Sequence, residues 1–175
     1  IYKGHFNEYL YMELLIGVVH YEEFLDNVVD VISTKYPNDL ESLMFEIPQN
    51  WSEIKDNYVL YEDFFLRLAQ EYRKHVRRII FGAPPISTSK NTTWDLIIDA
   101  FVSHKTDKSM VKTVRDENPQ VVVVGLSHAN YLKKRFPEVY YVAFSVVPYA
   151  KIDEFFVRLL GKPYKPDEVT SLKHT

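Results

Sequence analysis

Cysteine is absent from this chain. No disulfide framework, thiolate metal site or cysteine nucleophile is available, so any metal chemistry falls to the six histidines and the carboxylates. An excess of either charge is equally lacking. The 21 Lys and Arg against 24 Asp and Glu leave a net charge of −3 and a pI near 6.1, which is no footprint for nucleic acid or an anionic membrane. Long apolar runs are missing too: stretches such as Leu14 to Val19 and Val121 to Leu126 fall far short of the roughly 18 residues a bilayer-crossing helix needs. No charged-then-apolar leader opens the sequence, and its first residue, Ile1, reads as the start of a processed form or excised fragment. These features predict a soluble chain without a membrane span, with the cytoplasm as the expected compartment. The expected partner is a peptide or small-molecule substrate, not nucleic acid.

What the chain has is core material: 46% hydrophobic residues over 175 positions, with 13 Tyr, 11 Phe and 2 Trp. That suffices for one domain, expected over residues 1–160. Residues 161–175, opening Gly-Lys-Pro-Tyr-Lys-Pro-Asp-Glu, read as a polar C-terminal tail. No internal repeat or low-complexity tract is present; short apolar runs alternate with longer amphipathic ones. Tyr11 to Val19, Leu43 to Ile47, Ile79 to Gly82, Val121 to Gly125 and Val139 to Val147 are strand candidates.

Between them, Phe24, Leu25, Val28, Val29 and Ile32 keep helical spacing until Pro37 stops the helix. Leu60, Phe64, Leu68, Tyr72 and Val76 predict a helix over 58–78. A third helix is expected from Thr92, carrying Trp94, Ile97, Ile98 and Phe101. Strands separated by helices predict an α/β fold: a three-layer domain with a mainly parallel sheet of about five strands and helices on both faces.

In open α/β sheets ligands sit outside the carboxyl ends of the strands. Two of those ends carry one pattern, Gly-x-x-His, at Gly17 to His20 and Gly125 to His128, and a third ends in Glu46. Two imidazoles and a carboxylate suit Zn²⁺, Mn²⁺ or Fe²⁺ with open coordination positions. The same trio without metal suits acid–base chemistry. Histidines that merely cap helices or bond carbonyls explain the pattern equally well.

These residues resemble a known group. The early Gly-x-x-His, a helix ending in Pro37 and Asp39, the strand Leu43-Met44-Phe45-Glu46 and the Val-rich strand into a second Gly-x-x-His are similar to the TraB/PrgY, Tiki and GumN group. Its wider relatives are the ChaN-like and erythromycin-esterase-like proteins. Asp107-Lys108-Ser109-Met110 is similar to that group's Asp-x-x-Met segment. The resemblance spans about residues 12 to 136. It implies an α/β domain with His20, Glu46 and His128 in one cleft, acting as a metal-dependent hydrolase of peptide or ester bonds with Mn, Zn or Co. The alternative it implies is a non-catalytic domain of the same fold, binding haem, a peptide or a protein partner. After Glu46 the chain departs from the group's pattern: Ile-Pro-Gln-Asn-Trp carries no arginine.

Other residues compete for function. Gly17, Gly125, Ser127 and Arg78 are binding candidates beside the trio. Gly125-Leu126-Ser127-His128-Ala129 is close to a nucleophile elbow, but that fold's order is serine, then acid, then histidine, and the one histidine that follows at a distance, His174, stands one residue from the chain end. Arg73, Lys74, His75, Arg77 and Arg78 form a basic cluster that could bind an anion or complement a helix dipole. His104 and Asp107 have the spacing of a solvated surface pair, His5 that of a flexible start, and Pro84 to Thr93 that of a crevice-covering loop. Phe155, Phe156, Leu159 and Leu160 share one face of an expected helix, suited to covering the sheet or forming a homodimer.

Overall fold

The computed structural model describes residues 12–55, 64–85, 103–145 and 166–171. Five apolar runs form the strands β1 (Leu14–Val18), β2 (Ser42–Pro48), β3 (Arg78–Ala83), β4 (Val121–Gly125) and β5 (Tyr140–Ser145). Every residue of β1, β2 and β4 is buried. Parallel strands inside a sheet are covered on both faces, which is why these segments are largely apolar instead of alternating, with Ser42 and Glu46 as buried polar exceptions in β2. A sixth strand, β6 (Glu168–Ser171), pairs in parallel with β5 inside the segment that reads as a polar tail. Three of its four residues are exposed, so it needed no apolar run and hydropathy offered no sign of it.

The sheet is parallel throughout, in the order β3-β2-β4-β1-β5-β6. A 3-10 turn, Glu22–Phe24, leads into α1 (Leu25–Lys35), followed by the short α2 (Trp51–Ile54), α3 (Phe64–Tyr72), α4 (Ser103–Glu117) and α5 (Leu126–Arg135). Side chains of α1 and α3, among them Val28, Ile32, Phe65 and Leu68, pack with Leu14, Ile16, Val18 and Phe45 on one face of the sheet. Met110, Val111 and Val114 of α4, with Ala129 and Leu132 of α5, pack with Leu15, Met44, Val122 and Val124 on the other. This is the three-layer α/β architecture, with one more strand than expected.

The topology fixes where a ligand can sit. The chain runs from β1 through β2 to β3 with α1 and α3 on one face, then returns with α4 and α5 on the other, inserting β4 between β2 and β1. A crevice opens at the carboxyl ends of strands where the winding reverses. Here those strands are β2, β4 and β1, the three that carry Glu46 and the two Gly-x-x-His motifs.

Two local features differ from the periodicity. The apolar stripe predicts helix to Arg78, yet α3 ends at Tyr72: the amides of His75 and Val76 both bond to the Tyr72 carbonyl, and the Arg78 amide already pairs with Glu41 of the neighbouring segment. Strand pairing of β3 overrides the stripe. The turn of α2 after β2 has no counterpart in the sequence reading. His5, the 58–63 part of the second expected helix, the Thr92–Val102 helix and the 152–160 helix with its dimerisation face lie outside the described residues. So does the covering loop beyond Pro85. Among the described residues, no helix is long and apolar enough to cross a membrane.

Candidate functional site

Glu46 lies near the carboxyl end of β2, where the pairing with β3 shifts register between Phe45 and Pro48. Such irregularities re-aim side chains beside functional sites. Its carboxylate lies between two imidazoles. Nε2 of His128, in the first turn of α5, is 2.8 Å from Glu46 Oε1, and Nε2 of His20, just beyond β1, is 3.4 Å from Oε2. The amide of Gly125 donates to Oε2 at 3.3 Å. The three residues singled out by strand ends are therefore brought together, by three adjacent strands.

A fourth residue completes the cluster. Asp107 on α4 places Oδ1 2.6 Å from Nδ1 of His128. It is not the solvated residue that its spacing from His104 suggests: its side chain is only 12% exposed and serves His128. A sequence signal for this existed. Asp107 stands three, four and seven residues before Met110, Val111 and Val114, so it heads the buried stripe of α4, and an acid on an apolar stripe is costly unless a partner takes it.

The electrostatics follow from these contacts. Burial pushes the Glu46 carboxyl up, but hydrogen bonds from His128 and His20 outweigh it and hold the group at about 2. Burial likewise pushes His128 down, and the bonds to Asp107 and Glu46 outweigh it, raising the ring to about 10. These contacts favour the protonated His128 ring, held between Glu46 and Asp107.

His20 is the more open member, 29% exposed against 17% for His128. Phe65 meets its ring edge to face at a centroid distance of 4.7 Å, and Phe64 stacks at 6.1 Å. Both aromatics come from the start of α3, where Phe64 belongs to the apolar stripe and Phe65 stands beside it; nothing in the spacing singles them out as neighbours of a site residue.

The two motif glycines are explained by what lies opposite each. Gly17 lies inside β1, and a Cβ there would stand 2.6 Å from Ala129 Cβ and 2.9 Å from the Tyr141 hydroxyl, so glycine is what lets α5 close onto the sheet. At Gly125 a Cβ would stand 3.2 Å from both Glu46 Oε2 and His20 Nε2. Glycine there leaves room for the carboxylate and imidazole to meet over the backbone.

The remaining candidates fall elsewhere. Ser127 is exposed on α5, and both nitrogens of the adjacent His128 are engaged by carboxylates, so that ring is not its base. Arg78 opens β3 at the opposite end of the sheet, where its guanidinium bonds to Glu117. Arg77 beside it pairs with Glu41. The basic residues Arg77 and Arg78 thus mark a strand start, not the end of a long helix.

By type, two imidazole nitrogens and a carboxylate fit a divalent ion. As they stand, no three His, Asp or Glu side chains among the described residues are arranged to hold one, because Glu46 lies between the rings and accepts from both. Comparison with protein-family models, with curated proteins and with solved structures finds no significant match to this chain.

Proposed function

We propose that this chain is a hydrolase of peptide or ester bonds, working at the cluster of His20, Glu46 and His128 with a divalent ion such as Mn, Zn or Co. The observation that carries the reading is the convergence of two Nε2 atoms on one carboxylate at 2.8 and 3.4 Å. Donors bound to one ion at about 2.1 Å sit roughly 3 Å apart, so these spacings are of the right size, although the carboxylate must turn and the rings must give up their shared protons. His20, Glu46 and His128 would hold the ion. When bound, it supplies a Lewis acid and a water of lowered pKa.

The chain's own groups divide the remaining work. Glu46 has both oxygens engaged by N–H donors, which suits an anionic ligand better than a proton-abstracting base. Phe64 and Phe65 give the His20 side of the crevice an apolar wall that limits water. Haem binding has weaker support: an axial ligand needs one imidazole presented to the iron, and here both Nε2 atoms are turned to Glu46.

The test is metal uptake by elemental analysis after exposure to Mn²⁺, Zn²⁺ or Co²⁺, together with hydrolysis of peptide and ester panels before and after chelation. Stoichiometric uptake and turnover, both lost in His20→Ala and His128→Ala, are expected. Turnover that persists after chelation would move the reading to metal-free acid–base catalysis at the same residues. No uptake and no turnover, with a Soret band on haem titration, would replace it by the binding domain.

A further inference from the structure

Asp107 lies outside the trio, yet its contact with His128 is the shortest in the cluster at 2.6 Å. An imidazole in the first turn of a helix can turn over about its Cβ–Cγ bond and exchange nitrogens for carbons on each edge. Glu46 meets the Nε2 edge of His128 and Asp107 the Nδ1 edge. In the turned-over ring both carboxylates would face carbon. The two acids come from different elements, β2 and α4, and α4 is itself fixed against the sheet by Met110 and Val114, each fully buried. The ring is thereby clamped between a strand and a helix that cannot easily shift together.

We infer that Asp107 is the positioning residue of this site: it fixes the His128 ring in the one orientation that presents Nε2 to Glu46 and to the reacting centre. It acts through His128 and does not touch substrate. What Nε2 then does rests on the function proposed above; the clamping itself does not. A carboxylate on the far nitrogen of a metal-binding histidine also strengthens that ligand, and loss of such a partner costs about 10- to 100-fold in metal affinity.

The experiment compares Asp107→Asn and Asp107→Glu with the native full chain. Nitrogen-edited NMR of the metal-free protein reads the proton on His128 Nδ1, assigned by its loss in His128→Gln and told from the proton on Nε2 by its persistence in Glu46→Gln. A low-field signal is expected in the native chain, as for a short N–H donated to a carboxylate. Asp107→Asn should lose it, weaken Mn²⁺ and Zn²⁺ uptake by about 10- to 100-fold, and lower kcat with little change in KM. Asp107→Glu, which keeps the carboxylate, should recover part of each. A native chain without the low-field signal, or an Asn variant that retains it, overturns the inference whatever the metal result. A signal that behaves as expected in a chain that takes up no metal overturns the metal reading and leaves the clamp standing. Should the Asn variant fail to fold, the native signal and its retention in the Glu variant decide.

Discussion

Oε1 of Glu46 and Nε2 of His128 stand 2.8 Å apart, a buried ion pair formed between the second strand and the first turn of the last described helix. The pair makes stability depend on pH in a defined sense. Glu46 falls from an ordinary 4.5 to about 2, so its contribution is complete above pH 4.5 and is lost as pH falls toward 2. His128 rises from 6.5 to about 10, so its contribution is complete below pH 6.5 and is lost as pH rises toward 10. The stability difference between the native chain and His128→Gln should therefore be largest between pH 4.5 and 6.5 and shrink on either side. Urea unfolding of both proteins across the pH range measures it; a difference that does not change with pH would contradict the pairing.

Removing both members of the pair should cost less than the two single removals added together. Glu46→Gln leaves the half-buried His128 facing Asp107 alone, and breaking a buried pair typically costs about 3–5 kcal/mol. Since Glu46 borders the crevice, the lower part of that range is expected. The double variant Glu46→Gln/His128→Gln should be less destabilised than the sum of the two single changes, as a double-mutant cycle by chemical denaturation would show.

The two motif glycines should separate stability from function. Gly17→Ala drives a methyl against Ala129 and the Tyr141 hydroxyl, and such overpacking costs about 1–3 kcal/mol. Gly125→Ala meets only the ends of Glu46 and His20 side chains, which can retreat, so its unfolding midpoint should change less while metal uptake and turnover fall. Equal thermal destabilisation by both, with uptake preserved at Gly125→Ala, would contradict the close-approach account.

Phe65 holds the His20 ring edge to face, a contact worth about 0.5–1.5 kcal/mol beyond burial. Phe65→Leu keeps most of the volume and should cost under about 1.5 kcal/mol. The cavity left by Phe65→Ala should cost about 3–5 kcal/mol. Because the leucine variant stays folded, a fall in its turnover larger than its loss of stability would report a loosened His20. Unchanged kinetics in the leucine variant would confine Phe65 to the core.

Tyr141 and Asn130 form a buried polar link beside the site: the phenol donates to Asn130 Oδ1 at 3.0 Å, and Asn130 Nδ2 donates to the Leu126 carbonyl at 3.0 Å. Tyr141→Phe takes a donor from a buried acceptor and should cost about 1–3 kcal/mol. Its unfolding measured beside Asn130→Ala should show coupling, because both variants release the same turn of α5.

Much of the fold was legible because burial on both faces writes a strand as an apolar run. β1, β2 and β4 are read from residues alone for that reason, and α1 from the spacing of Val28 and Ile32 before Pro37. β6 was not, since an exposed edge strand is held by main-chain pairing with β5, which any sequence can supply. The end of α3 was misread because the stripe through Val76 reports burial and not helix: Val76 packs against the same core from a turn.

His20, Glu46 and His128 were singled out by the sequence because chemistry at the carboxyl ends of parallel strands is a property of chain order, and chain order can be read. Asp107 could be suspected from its place at the head of an apolar stripe, but its partner was set only by the tertiary structure. Its neighbours in sequence suggest a surface helix, and its partner is chosen by the packing of α4 against α5 across one face of the sheet. So too for the glycines, whose use depends on which atoms arrive opposite them. The linear order of apolar runs determined the sheet and the end of it that matters. The distances of 2.6, 2.8 and 3.4 Å, and the charges they impose, were decided only when the two helical layers closed on that sheet.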